Sequence, residues 1–286
     1  MTRIAYVNGR FVPHADARVH IEDRGYQFAD GVYEVTAVLR GQPQDLEPHL
    51  DRLERSLAEL SIPMPAARKT IALLHDEMIR RNLIRDGMVY LQVTRGVAPR
   101  DHAFPGKAVR PALVMTAKRL DFAKIAATAA QGVAVVTQPD IRWARCDIKS
   151  VSLLANVLAK QTARAAGAFE CWMVDGDGLI TEGSSSNAWI VDRDGRLRTR
   201  SLSQAILPGI TRQVLFAEAE RAGIPILEQP FTVDEVLAAR EAFTTSTTAF
   251  VMPVVRLDGK AVGEGRPGEL TLRLRRIYDA HMSPAD

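Results

Sequence analysis

The sequence predicts a two-domain protein of mixed α+β and α/β character, with a small N-terminal α+β domain and a larger C-terminal one. Three observations carry this reading. The chain has 286 residues, enough for one large or two medium domains. Short apolar runs bounded by Asn-Gly and Asp-Gly dipeptides alternate with stretches of helical period. One stretch, RLDFAKIAATAAQG, reads as a crossing, which sets the domains at 1–120 and 132–286 with a connection at 121–131.

Taken in order, RIAYVNGRFVP is a hairpin turning at Asn8-Gly9, and GVYEVTAVLRGQPQDL repeats the form around Gly41. HLDRLERSLAELSI carries Leu50, Leu53, Leu57 and Leu60 at helical spacing and is expected to stop at Pro63. RKTIALLHDEMIRRNLI is a second amphipathic helix. MVYLQVTRG and RPALVMTAK are strands flanking an irregular loop, VAPRDHAFPGKAV. Beyond the crossing come the strand VAVVTQP, the segment around Lys149 and a helix running to Gly167. ECWMVDGDGLITEGSSSNAWIVDRDGRLRTR then reads as strands joined by Asp-Gly turns. ITRQVLFAEAERAG and FTVDEVLAAR are helices, and EAFTTSTTAFVMPVVRLDG returns to strands. No internal repeat or low-complexity tract interrupts this order.

Hydrophobic residues make up 47% and charged residues 25%, the balance of an ordinary globular protein. The net charge is only +3, no Lys/Arg run reaches five, and no basic stretch is interleaved with aromatics, so a nucleic-acid partner is not expected. With neither an apolar leader nor an apolar run of membrane-spanning length, the expectation is a soluble cytoplasmic protein without a membrane partner. Cys146 and Cys171 fit no metal-binding spacing and are expected as buried free thiols; no metal is expected.

Four polar stretches stand where the chain should bury or turn. Lys149 is one of seven lysines against thirty arginines. It is either a surface charge near a helix start or an amine kept because arginine cannot lose its proton. LPGITR (207–212) begins a helix just after Pro208-Gly209. That gives either an anion site of free amides plus a hydroxyl, or a threonine capping only its own helix. TTSTT (244–248) is either a half-exposed strand or a set of hydroxyls for an anion. In TEGSSSN (181–187), Glu182 is either a solvated loop carboxylate or the partner of a cationic ring nitrogen, with small residues admitting a flat ligand.

In company, these stretches resemble one family. EDRGYQFADGVYEV, HLDRLERS, VTRGVAPRDHAFP, RWARCDIKSVSLLANVLAKQ, TEGSSSN, LPGITR and TSTT, in that order, resemble the fold-type IV pyridoxal-phosphate enzymes, and among them most the D-amino acid transaminases. The resemblance runs from about residue 4 to about residue 260. It implies that family's fold, with a barrel-like core in the larger domain, and pyridoxal 5′-phosphate as cofactor. It implies Lys149 as the residue that holds the cofactor and shuttles the substrate proton, and Glu182 as partner of the pyridine nitrogen. It implies Arg52, Ile210, Thr211, Ser246 and Thr247 around the phosphate, Leu207 against the ring, and Arg142 near it.

Within this superfamily, relatives transaminate D-amino acids, branched-chain L-amino acids or simple amines, or cleave aminodeoxychorismate. Arg100 and His102 sit two apart, so in an extended segment their side chains point one way. A guanidinium grips a carboxylate in two-pronged fashion. The resemblance implies that Arg100 and His102, with Tyr33, trap the substrate carboxylate, the first two reaching in from the partner of a homodimer. It implies ping-pong conversion of D-alanine and 2-oxoglutarate to pyruvate and D-glutamate. Val35, Ser184, Ser185 and the loop near Gly106 are the positions open to shifts in substrate range. Aminodeoxychorismate lyase-like elimination, branched-chain transamination and non-catalytic cofactor binding remain the alternatives.

Overall fold

Turn residues with positive φ set the first two hairpins. The computed structural model describes residues 3–106 and 109–282. Residues 1–2 and 283–286 of the two expected domains, and Lys107 and Ala108 of the irregular loop, lie outside the described residues. Strands β1 (Ile4–Val7) and β2 (Arg10–Pro13) pair antiparallel across Asn8 and Gly9, whose φ values are 47° and 99°. Such values suit a two-residue turn matched to the strand twist. After a short helix α1 (Arg24–Phe28), β3 (Gly31–Leu39) and β4 (Gln42–Pro43) form the second hairpin, turning through Arg40 and Gly41.

Helix α2 (Leu46–Glu59) buries His49, Leu50, Arg52, Leu53, Ser56 and Leu57. It ends before Leu60 and Pro63: Ser61 takes φ of 52°, and the Ile62 N–H returns to the Leu57 carbonyl at 2.9 Å. That back-bonded end satisfies the last carbonyls, so the stop comes from the chain reversal and not from proline. Helix α3 (Arg68–Asn82) and strands β5 (Gly87–Thr94) and β6 (Ala112–Arg119) follow. The six strands form one antiparallel sheet in the order β2-β1-β6-β5-β3-β4. Leu50, Leu53 and Leu57 of α2 and Ile71 and Met78 of α3 pack on its inner face against Val32, Leu91 and Met115.

Contacts divide the chain into two units, Met1–Phe122 with Ile148–Ser152, and Ala123–Asp147 with Leu153–Asp286. The sequence reading left residues 148–152 in the C-terminal domain. The strip groups with the first unit because Tyr33 N–H donates to the Lys149 carbonyl (2.9 Å) and Val151 N–H to that of Gly31 (3.0 Å). The expected connection folds as helix α4 (Phe122–Gln131).

The second unit continues with β7 (Val133–Pro139), α5 (Leu154–Ala165), β8 (Glu170–Val174), β9 (Ile180–Gly183), β10 (Asn187–Val191) and β11 (Leu197–Thr199). Then come α6 (Ile210–Arg221), β12 (Ile226–Glu228), α7 (Val233–Ala238), β13 (Glu241–Ser246), β14 (Phe250–Leu257), β15 (Lys260–Ala261) and α8 (Glu269–His281). The sheet order is β12-β11-β10-β13-β14-β7-β8-β9. Strands β9 and β10 are joined by residues 184–186 alone, yet stand five ladder spacings apart. Five spacings of a flat sheet are roughly 24 Å, whereas four extended residues reach only about 14 Å. The sheet therefore curls into a partial barrel, around a core that includes Trp172, Ile180, Ile190, Phe231 and Val254. Its β8 is buried on both faces, which is why it reads as an apolar run from Cys171 to Val174. Cys146 and Cys171 are buried free thiols. Among the described residues, no helix is long and apolar enough to cross a membrane, and no cluster of three metal-ligating side chains forms.

Candidate active site

In the first unit, Lys149 stands on the strip beside β3, five residues before α5 begins. It is half-buried, with its backbone N–H 3.4 Å from Ser56 Oγ and Nζ 4.3 Å from the centre of the Tyr33 ring. Tyr33 stacks on Tyr90 at 5.6 Å, and Tyr90 is pushed up to about 12 by burial and by Tyr33. Val35 shares the half-buried face of β3 with Tyr33, since alternate residues face alike.

On the opposite face of β3, Glu34 meets Arg52 of α2 in a two-pronged pair, Nε to Oε1 and Nη2 to Oε2, both at 2.8 Å. His49 Nδ1 lies 2.7 Å from Glu34 Oε2. Burial would raise the Glu34 carboxyl, but the Arg52 charge and hydrogen bonds, with His49, hold it at about 2. Burial pulls His49 below its ordinary value. Sequence reasoning named Arg52, for a phosphate, and did not name Glu34 or His49. The signal was there, since Glu34 and Arg52 each fall on the inward face of an amphipathic element and inward charges come in pairs.

Arg100 and His102 are both exposed, and one aromatic ring brings them together. The Arg100 guanidinium lies 4.8 Å and the His102 ring 5.3 Å from the Phe28 ring. Arg24 fastens their backbone, donating to the carbonyls of Asp101 (2.6 Å) and His102 (3.3 Å), while Asp30 ties Arg24 to Arg95. Tyr33 keeps company with Lys149 and not with this pair. Arg24, Phe28 and Asp30 lie in or beside the unpredicted helix α1.

In the second unit, Glu182 is 5% exposed, which removes the solvated-loop alternative. It accepts from the Arg142 guanidinium, from Asn187 Nδ2 (2.9 Å) and from the Leu207 N–H (3.1 and 3.2 Å). Arg142 also donates to Asp140 (2.7 Å) and the Ala205 carbonyl (3.0 Å). Burial disfavours the charge on Arg142, but Asp140 and Glu182 raise its proton affinity further, and Arg142 in turn holds Asp140 below its ordinary value. Asp140 and Asn187 were not read from the sequence. Ser184, Ser185 and Ser186 all direct their hydroxyls to the buried carboxylate of Glu170.

Helix α6 begins at Ile210 behind a glycine N-cap. The N-cap is Gly209 and makes no side-chain cap bond, so Thr211 is not the cap, and helix-start amides of this kind suit an anion. In TTSTT the strand ends at Ser246: Thr244 and Thr245 are buried and bond Asn187 and Trp189, whereas Ser246 and Thr247 are half-buried at the turn. Open helix-start amides beside hydroxyls fit a phosphate, a buried carboxylate fits a ring nitrogen, and a half-buried amine fits an aldehyde. The residues present thus suit pyridoxal 5′-phosphate.

Curled sheet, antiparallel partner unit and this set of side chains define a class. The amino-transferase class IV family matches residues 31–257, and the chain belongs to it. Relatives agree over nearly full length. The chain is 43% identical to the D-alanine aminotransferase of Bacillus licheniformis over 264 residues, covering 92% of each. It is 41% identical to the D-alanine aminotransferase of Listeria monocytogenes serotype 4b, covering 95% of this chain and 93% of that protein. Among solved structures, the branched-chain aminotransferase of the archaeon Thermoproteus uzoniensis with norvaline matches with TM-score 0.84 at 26% identity, over 98% of this chain and 94% of that one.

Proposed function

We propose that this aminotransferase moves the amino group of D-alanine to 2-oxoglutarate by a ping-pong route, using pyridoxal 5′-phosphate, as a cytoplasmic homodimer. The observation that carries the reading is the Arg100–His102 pair. Two exposed donors share the Phe28 ring on a loop fastened by Arg24, in a chain 43% identical to a D-alanine aminotransferase.

The cofactor, when bound, supplies an aldehyde for the amine and a cationic ring that accepts electrons. The rest is done by the chain. Lys149 offers the amine and carries the proton taken from the substrate Cα, work that arginine's guanidinium cannot do. Glu182 keeps the ring nitrogen protonated, and Arg142 holds that carboxylate in place. Ile210 and Thr211, by their amides and the Thr211 hydroxyl, hold the phosphate with Arg52, Ser246 and Thr247, and Leu207 packs on the ring. Tyr33, with Arg100 and His102 of the second copy, receives the substrate carboxylate and so selects the face on which Cα–H meets Lys149.

The test is the absorbance of the purified, cofactor-loaded protein after D-alanine, L-alanine or L-leucine is added without an acceptor. Loss of the band with D-alanine alone supports the reading. Loss with L-leucine instead refutes it in favour of the branched-chain activity named for the Thermoproteus uzoniensis structure. Steady pyruvate release without any oxo acid would mean elimination.

A further inference from the structure

Three parts of the second unit meet at one amide. Asn187 is 5% exposed. Its Nδ2 donates to Glu182 Oε2 at 2.9 Å and to the Leu207 carbonyl at 3.0 Å. The Leu207 N–H closes the triangle by donating to both Glu182 oxygens, at 3.2 and 3.1 Å. On its other side, Oδ1 occupies the space in which a Cβ on Gly209 would stand, 2.2 Å away. The Asn187 backbone carbonyl accepts the Thr244 hydroxyl at 3.0 Å, which fastens the residue to β13, the strand that ends at Ser246.

The chemistry asks for asparagine here. A carboxylate oxygen and a carbonyl oxygen both need a donor at one point, and a primary amide nitrogen carries two hydrogens. Aspartate of the same size would set a second carboxylate against Glu182 and leave the Leu207 carbonyl without its hydrogen. Serine reaches too short a distance and has one hydrogen to give.

We infer that Asn187 is a positioning residue that locks the Glu182 carboxylate to the Leu207–Gly209 segment leading into α6, so one side chain fixes the spacing between the ring-nitrogen and phosphate contacts. This rests on the roles proposed above for Glu182 and Thr211. Asn187 itself touches neither end of the cofactor. Its loss should therefore disturb both ends at once, which a residue that merely fills space would not do.

The experiment uses the full-length protein as wild type, N187D, N187A, G209A, E182Q and the double variant E182Q/N187D, each checked for folding by thermal melt. Two quantities are read. One is the ratio of affinities for pyridoxal 5′-phosphate and for pyridoxal, which lacks the phosphate; the other is the pH midpoint of the bound cofactor's absorbance. N187D and N187A should lower the ratio about tenfold, the scale of a hydrogen bond to a charged group, and N187D should also move the pH midpoint. In the E182Q background N187D should no longer move the midpoint, because the two act through one contact. G209A pushes the amide from the opposite side and should lower the ratio in the same direction without altering Asn187. If wild type takes up the cofactor and folded N187D matches it in both readouts, this inference alone is overturned. If wild type takes up none, the site assignment falls and the inference with it.

Discussion

Replacing Glu34 with glutamine leaves the Arg52 guanidinium buried opposite a neutral amide. The Glu34 carboxyl is held at about 2, below an ordinary value of 4.5, by Arg52 and His49 against the opposing effect of burial. Because the folded value is the depressed one, the ionised group stabilises the fold above about pH 4.5, and that stabilisation is lost as pH falls toward 2. At about 1.4 kcal/mol per pH unit, the difference amounts to about 3 kcal/mol at neutral pH. This agrees with the roughly 3–5 kcal/mol that breaking one side of a buried ion pair costs. Urea titration at about pH 7 should show E34Q less stable by about 3 kcal/mol, and at about pH 3 the gap should narrow to less than half of that. Far-UV circular dichroism is the probe to use, since Trp143, Trp172 and Trp189 all lie in the second unit and none in the first. A gap that stays constant across this range would refute the argument, since it would mean that Glu34 does not depend on its charge.

Two further outcomes follow from the same geometry. Exchanging Arg100 for lysine keeps the charge but removes the two-pronged grip, so KM for D-alanine should rise roughly tenfold while kcat changes little; an unaltered KM in steady-state kinetics would remove Arg100 from substrate binding. Burial pushes the Cys146 and Cys171 thiols up to about 11 and 12, so neither should react with a thiol reagent at about pH 8 until the protein is unfolded. Rapid labelling of the folded protein would show that one of them is open to solvent.

Much of the fold was legible because turn dipeptides and period are local. Asn8-Gly9, the leucines of α2 and the glycine entry to α6 each declare themselves within a few residues. Helix α8 hid because its buried face, Thr271, Leu274, Arg275 and Tyr278, includes a charged residue. Arg275 is satisfied by the carbonyls of Ala249 and Val251, more than twenty residues away, which no window of helical length contains. The candidate site divides along the same line. Lys149, Glu182 and Thr211 stand out by residue type within short motifs, whereas Glu34 and Asn187 matter through partners far along the chain, Arg52 and Leu207. The segment 148–152 is hard to assign for that reason: its neighbours in the chain group with one unit and its hydrogen bonds with the other.

The same strip limits how the protein can be taken apart. A fragment ending at Phe122 would carry all six strands of the first sheet yet lack Ile148–Ser152. Without it, the Gly31 carbonyl and the Tyr33 amide lose their partners, and the start of β3 is left as a raw edge ready to pair with another chain. Expression of the N-terminal piece by itself should give aggregates, while the C-terminal piece would keep the glutamate and surrender its lysine to a segment with nothing to lie against. Splitting the chain at Phe122 thus parts the start of β3 from the five residues that bond to it.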